Sequence, residues 1–114
     1  MCEAAVTLAE RGHAQAIVAV TRGGGTAQRL SALRPKAQIF AVTDRDNIAR
    51  RLSLNWGVVP MCLEFGGNVD EAAERIREEL IARRFVAEGA PVVIVNISGD
   101  LTRSDANYLR IRRL

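Results

Sequence analysis

The chain has 114 residues, 48% of them hydrophobic and 25% charged, with sixteen basic and thirteen acidic side chains. That describes one globular domain with a core of its own, and it excludes a barrel enzyme of about 250 residues. No apolar run nears the roughly 20 residues of a membrane helix, and the formal charge of +3 is too mild for a dedicated nucleic-acid binder.

Residues 4–11 are alanine-rich and predict a short helix that Gly12 stops. The run Ala16-Ile17-Val18-Ala19-Val20 is continuously apolar and predicts a strand covered on both faces. A helix over 26–33 puts Ala27, Leu30 and Leu33 on one face, and Pro35 ends it. Gln38-Ile39-Phe40-Ala41-Val42 is the second strand. A helix over 44–54 buries Ile48, Ala49 and Leu52, with Thr43 or Asp44 as N-cap. Residues 58–63 form the third strand. A helix over 70–84 buries Ala73, Ile76 and Leu80, with Asn68 and Glu71 spaced as a capping box. Val92-Val93-Ile94-Val95 is the fourth strand, and the alternating Tyr108-Leu109-Arg110-Ile111-Arg112 is an edge strand with one wet face.

Strands separated by helices predict right-handed crossovers and an α/β fold. The expected architecture is a three-layer α/β/α sandwich, a mainly parallel five-stranded sheet with helices on both sides, as one domain over 1–114. The start of the chain has no basic region and no apolar h-region, which argues for the cytoplasm. Cys2 and Cys62 form no CxxC pair and read as reduced thiols.

Ligands of such sheets bind beyond the carboxyl ends of the strands, where the strand order reverses. The first strand should be central, and it runs into Thr21, Arg22, Gly23, Gly24, Gly25 and Thr26. Glycines let backbone N–H groups turn inward, a helix start favours an anion, Thr21 and Thr26 add hydroxyls, and Arg22 adds charge. This is either a phosphate cradle or a tight βα turn that needs glycine for its geometry. The segment lacks the lysine of a P-loop. It carries two glycines of a dinucleotide fingerprint but has Gln28 at the third place. Asp44 stands where a ribose-binding acid would, which keeps a nucleotide reading open beside its simpler role as a cap. His13 has no ligand partner beside it in sequence, and no catalytic set, metal-spaced cluster or cofactor motif is visible. Trp56 reads as a packing residue, Arg110 and Arg112 as a solvated edge, and Glu79 and Arg83 as a helix-face pair. Aromatics at 4% give no stacking platform for single-stranded nucleic acid.

Several segments together resemble the C-terminal domain of pyruvate kinase. They are Ala16-Ile17-Val18-Ala19-Val20-Thr21, the glycine-rich turn with Thr26-Ala27, Arg34-Pro35-Lys36-Ala37 and Ile39-Phe40-Ala41-Val42-Thr43. Further on come Ala49-Arg50-Arg51-Leu52-Ser53-Leu54-Asn55-Trp56-Gly57-Val58-Val59-Pro60, whose stretch from Arg50 to Pro60 is the most specific, and Asn107-Tyr108-Leu109-Arg110-Ile111. The resemblance implies five strands with the last antiparallel, and a non-catalytic regulatory or assembly domain. It implies that the active site, with its metal ions and phosphoenolpyruvate, belongs to a separate barrel that exchanges phosphate with ADP. It further implies a homo-oligomer and a sugar-phosphate effector, whose phosphate sits in the 21–26 turn under a closing loop over 98–106. Ser98, Gly99 and Arg103 are that loop's expected contacts. The departures are Gly23, where the family carries serine, and Gly25, where it carries a hydroxyl or a base. Residues 68–72 lack a base, and Asp100 and Asp105 would repel a bisphosphate unless Arg103 offsets them. The expected guest is therefore a monophosphate or a nucleotide, or the domain serves assembly alone.

Overall fold

The computed structural model describes residues 2–21, 24–63, 69–96 and 108–113. Its elements run α1 (Cys2–Arg11), β1 (Ala16–Val20), α2 (Gly25–Ala32), β2 (Gln38–Thr43), α3 (Asp46–Leu52), β3 (Val58–Cys62), α4 (Val69–Ala82), β4 (Pro91–Asn96) and β5 (Tyr108–Arg113). The strands form one sheet in the order β3-β2-β1-β4-β5. β1 is parallel to both β2 and β4, β2 is parallel to β3, and β5 runs antiparallel to β4. The expected mainly parallel sheet with an antiparallel edge strand is what forms.

The continuous apolarity of the inner strands is explained by two cores. On one face Ile17, Ala19, Ile39, Ala41, Val93 and Val95 pack against α1, α2 and α3. On the other, Ala16, Val18, Phe40, Val42, Val92 and Ile94 pack against Ile76 and Leu80 of α4. Successive residues of one strand feed opposite cores, so neither parity can be polar. Right-handed crossovers require this division of the helices. α2 and α3 carry the chain from β1 outward to β3, and α4 brings it back to β4, so α4 must cross the opposite face.

Several local expectations are corrected. α3 begins at Asp46, and its N-cap is Arg45 in an extended conformation, not Thr43 or Asp44. The Thr43 hydroxyl instead accepts the Arg45 N–H at 3.2 Å, closing a turn ahead of the helix. Leu33 lies outside the buried stripe of α2, because the helix closes at Ala32 and Arg34 turns left-handed at φ 51°. His13, not Gly12, takes the left-handed conformation after α1. Arg112 is paired to Glu74 at 3.3 Å, and Arg83 to Glu79 at 2.9 Å as the spacing predicts. The side chain of Arg110 and the Asn68 capping box lie outside what the structure describes. No described helix is long and apolar enough to cross a membrane.

Candidate functional site: the turn between β1 and α2

The strand order reverses at β1, which has β2 on one side and β4 on the other. Crevices between neighbouring strands whose connections diverge open at their carboxyl ends, which here means beyond Val20 and Asn96, paired in register. Thr21 extends the ladder by one bond, its N–H donating to the Val42 carbonyl at 2.9 Å. Its hydroxyl oxygen accepts the Gly24 N–H at 2.9 Å. That bond spans three residues and folds the turn back on the strand end.

Gly24 then takes the left-handed conformation, φ 85°, and serves as the N-cap of α2. A β-carbon there would stand 3.1 Å from Leu52 Cδ2 and 3.4 Å from Ile48 Cγ2. Both facts require glycine at this position. Gly25 differs, since a β-carbon there would meet nothing within 4 Å among the described residues.

The first bond of α2 runs from the Gln28 N–H to the Gly24 carbonyl, 3.0 Å. The amides of Gly25, Thr26 and Ala27 precede it and have no acceptor within the helix. Among the described residues the N-cap Gly24 supplies no side-chain cap, and no acid stands in the first turn. The positive end of the helix thus emerges without a side-chain cap among the described residues, beside the exposed Gly25. Chemically, the arrangement offers amide donors and a favourable dipole to an anion.

Of the expected site residues, the structure brings together Thr21, Gly24, Gly25 and Thr26. Thr21 and Thr26 are 7% and 8% exposed, so each hydroxyl has little contact with solvent. Arg22, Gly23, Ser98, Gly99 and Arg103 lie outside the described residues. Asn96 was not anticipated; it ends β4 half-buried, directly across from Val20. A polar residue closing an apolar run was the available signal. Among the described residues no group of three or more histidine, cysteine or carboxylate side chains could hold a metal ion.

Thr21→Val tests the frame of the turn. The Gly24 N–H is buried and would lose its acceptor, at a cost of about 1–2 kcal/mol, while Thr21→Ser should keep most of that stability. Chemical denaturation of the two variants reads the difference.

A family model described as the pyruvate kinase alpha/beta domain matches residues 1–112. The pyruvate kinase of Clostridium acetobutylicum is 35% identical over 103 residues, covering 86% of this chain and 21% of that protein. That of Thermoplasma acidophilum is 34% identical over 100 residues, covering 88% of this chain and 18% of its own length. A chloroplastic pyruvate kinase isozyme G of Ricinus communis is 37% identical over 100 residues, covering 86% and 24%. The crystal structure of a pyruvate kinase from Cryptosporidium parvum superposes with a TM-score of 0.84 at 23% identity, over 98% of this chain and 21% of that one, a likeness of fold. The chain therefore spans about a fifth of the length of the curated relatives it matches. Matched by that family model along nearly all of its length, the chain belongs to the pyruvate kinase alpha/beta domain family.

Proposed function

We propose that the chain is the regulatory and assembly domain of a cytoplasmic, oligomeric enzyme of the pyruvate kinase type, and that its 21–26 turn takes one phosphate group of a metabolite. Phosphoryl exchange between phosphoenolpyruvate and ADP falls, in this reading, to the remaining four fifths of such an enzyme. The observation that carries the effector role is the start of α2 at the reversal point, which among the described residues has no side-chain cap and nothing within 4 Å of a β-carbon at Gly25. Family membership supports it, because the matched relatives are pyruvate kinases. The geometry favours a single phosphate. Three amides and one helix end suit one anion, and glycine at 23 and 25 removes side chains that would hold more. A hexose monophosphate or nucleoside monophosphate is the expected class.

Thermal melting of the chain with each of these, with a hexose bisphosphate and with inorganic phosphate tests the reading. At a hundred times its dissociation constant a ligand stabilises by about 2.7 kcal/mol, roughly 10 °C for a domain of this size. Gly25→Asp separates folding from binding. A carboxylate in the first turn of α2 should raise stability by about 0.3–1 kcal/mol and abolish the phosphate response by repulsion. Absence of any shift across the panel overturns the effector role and leaves assembly.

A further inference from the structure

The strand order β3-β2-β1-β4-β5 repeats, place for place, the order of the first five strands of dinucleotide-binding sheets, with β5 reversed. In those sheets a phosphate meets the helix that follows the first strand. An acid at the end of the second strand, about 20 residues beyond the glycines, holds the ribose hydroxyls. Here the helix is α2, and the residue that follows β2, at that spacing from the three glycines, is Asp44. Register sets the two parts side by side. Val20 pairs with Val42, whose carbonyl also accepts the Thr21 N–H. Asp44 therefore lies one strand over from the turn, roughly 5 Å to the side. The turn and the segment after β2 are tied again through α3, since Gly24 faces Ile48 and Leu52 of the helix that Asp44 leads into.

The structure also removes the simpler role of Asp44. The N-cap of α3 is Arg45, no side chain caps that helix, and Asp46 already supplies the acid of its first turn. The Asp44 carboxylate is exposed and has no hydrogen-bond or ion-pair partner among the described residues. On the phosphate side, Thr26 stands in the first turn of α2 with only 8% of its surface exposed, and its hydroxyl has no partner among the described residues. No buried side-chain oxygen among those residues is left unpartnered, so the little of Thr26 that solvent reaches includes this oxygen. The start of α2 thus combines free amides with one free hydroxyl, and Asp44 stands to one side with two free acceptors.

We infer that Asp44 is the specificity-determining residue of this turn: its carboxylate accepts hydrogen bonds from the 2′- and 3′-hydroxyls of a 5-phosphorylated ribose whose phosphate sits at the start of α2. The inference rests on the reading of the 21–26 turn as a phosphate site, and it narrows the guest of that site. Two neighbouring hydroxyls on one side of a furanose ring match the two oxygens of one carboxylate. The ring separates carboxylate from phosphate, and the exposed Arg45 beside Asp44 offsets their repulsion. The same unit occurs in free ribose 5-phosphate and in a nucleoside 5′-monophosphate.

Titration calorimetry of the chain with adenosine 5′-monophosphate, its 2′-deoxy analogue, ribose 5-phosphate, glucose 6-phosphate and inorganic phosphate tests this. The ribonucleotide should bind about tenfold or more tightly than the deoxy analogue, as expected for a lost hydrogen bond to a charged group. Ribose 5-phosphate binding as well as the ribonucleotide would identify the free sugar phosphate as sufficient, and weaker binding would identify the nucleotide. Asp44→Ala should bring the ribo and deoxy ligands to equal affinity while inorganic phosphate binds no more weakly than to the parent. Asp46→Ala, which removes the same charge two residues on, should keep the parent ratio. A parent chain that does not discriminate between ribo and deoxy ligands overturns the inference, and so does discrimination that survives Asp44→Ala. If inorganic phosphate and glucose 6-phosphate bind while the ribo-to-deoxy ratio is one, Asp44 loses its role and the phosphate turn stands. If none of the five compounds binds, both readings fall.

Discussion

Leu80→Ala is expected to lower the free energy of unfolding by about 3 kcal/mol, within the 2–5 kcal/mol typical of such truncations, and to lower the melting temperature by roughly 12 °C. The size of the effect follows from how unevenly the sheet is covered. Three helices share one face, whereas α4 is the sole helix packed on the other among the described residues. Leu80 is completely buried there and Ile76 almost so. Removal of the Leu80 side chain leaves a cavity with no neighbouring helix to close over it. The ion pairs of α4 cannot compensate. Arg77 to Glu74, Arg77 to Glu88 and Arg112 to Glu74 all lie partly in solvent, and Arg77 is 4.0 Å from both of its partners. Such pairs contribute about 0–1 kcal/mol each. Chemical denaturation with an unchanged slope and a midpoint shift of the stated size is the expected result. A loss below about 1 kcal/mol would mean that the sheet face is not sealed by α4.

The strands were legible because burial on both faces writes itself into a chain as unbroken β-branched runs, whatever lies above or below. The parallel sheet and its central first strand followed from α-β alternation, which leaves few ways to lay strands side by side, whereas the full strand order and the register came only with the structure. Helix ends were less legible. The start of α3 was misplaced by two residues because Asp44 has the chemistry of a cap, while the cap geometry belongs to Arg45. The outward turn of Leu33 depends on Arg34 adopting φ 51°, which no apolar periodicity encodes. Trp56 reads as a packing residue from its neighbours in sequence, yet about half of it is exposed. Its partners, Ser31 and Arg34, come from a helix exit more than twenty residues earlier. The turn after β1 shows the same division. Its existence and its place at the reversal point were readable from three successive glycines after an apolar run. Which of them needs to be glycine was not, because the answer lies with Ile48 and Leu52 on α3.

That dependence gives the second large prediction. Gly24→Ala should destabilise the chain by about 2 kcal/mol, because the left-handed conformation costs an L-residue about 1–2 kcal/mol and the new methyl adds crowding. The methyl would stand 3.1 Å from Leu52 Cδ2, and Leu52 is itself buried in the core of that face, so it has little room to withdraw. Gly25→Ala, one residue on, should act in the opposite sense, stabilising by about 0.5–1 kcal/mol as a helical glycine loses its excess freedom. Nothing stands within 4 Å of its β-carbon to resist. Denaturation midpoints of the two variants should therefore move to opposite sides of the parent value; movement in the same direction would contradict the left-handed cap. The functional consequence separates them further. Gly24 carries the carbonyl that starts the helix and the amide that Thr21 anchors, so its displacement misdirects the amides of Gly25, Thr26 and Ala27 together. The phosphate-dependent thermal shift should be lost in Gly24→Ala and retained in Gly25→Ala, whose methyl occupies open space and carries no charge. Gly24→Asn should fall between Gly24→Ala and the parent in stability, because asparagine tolerates the left-handed region but still brings a β-carbon against Leu52.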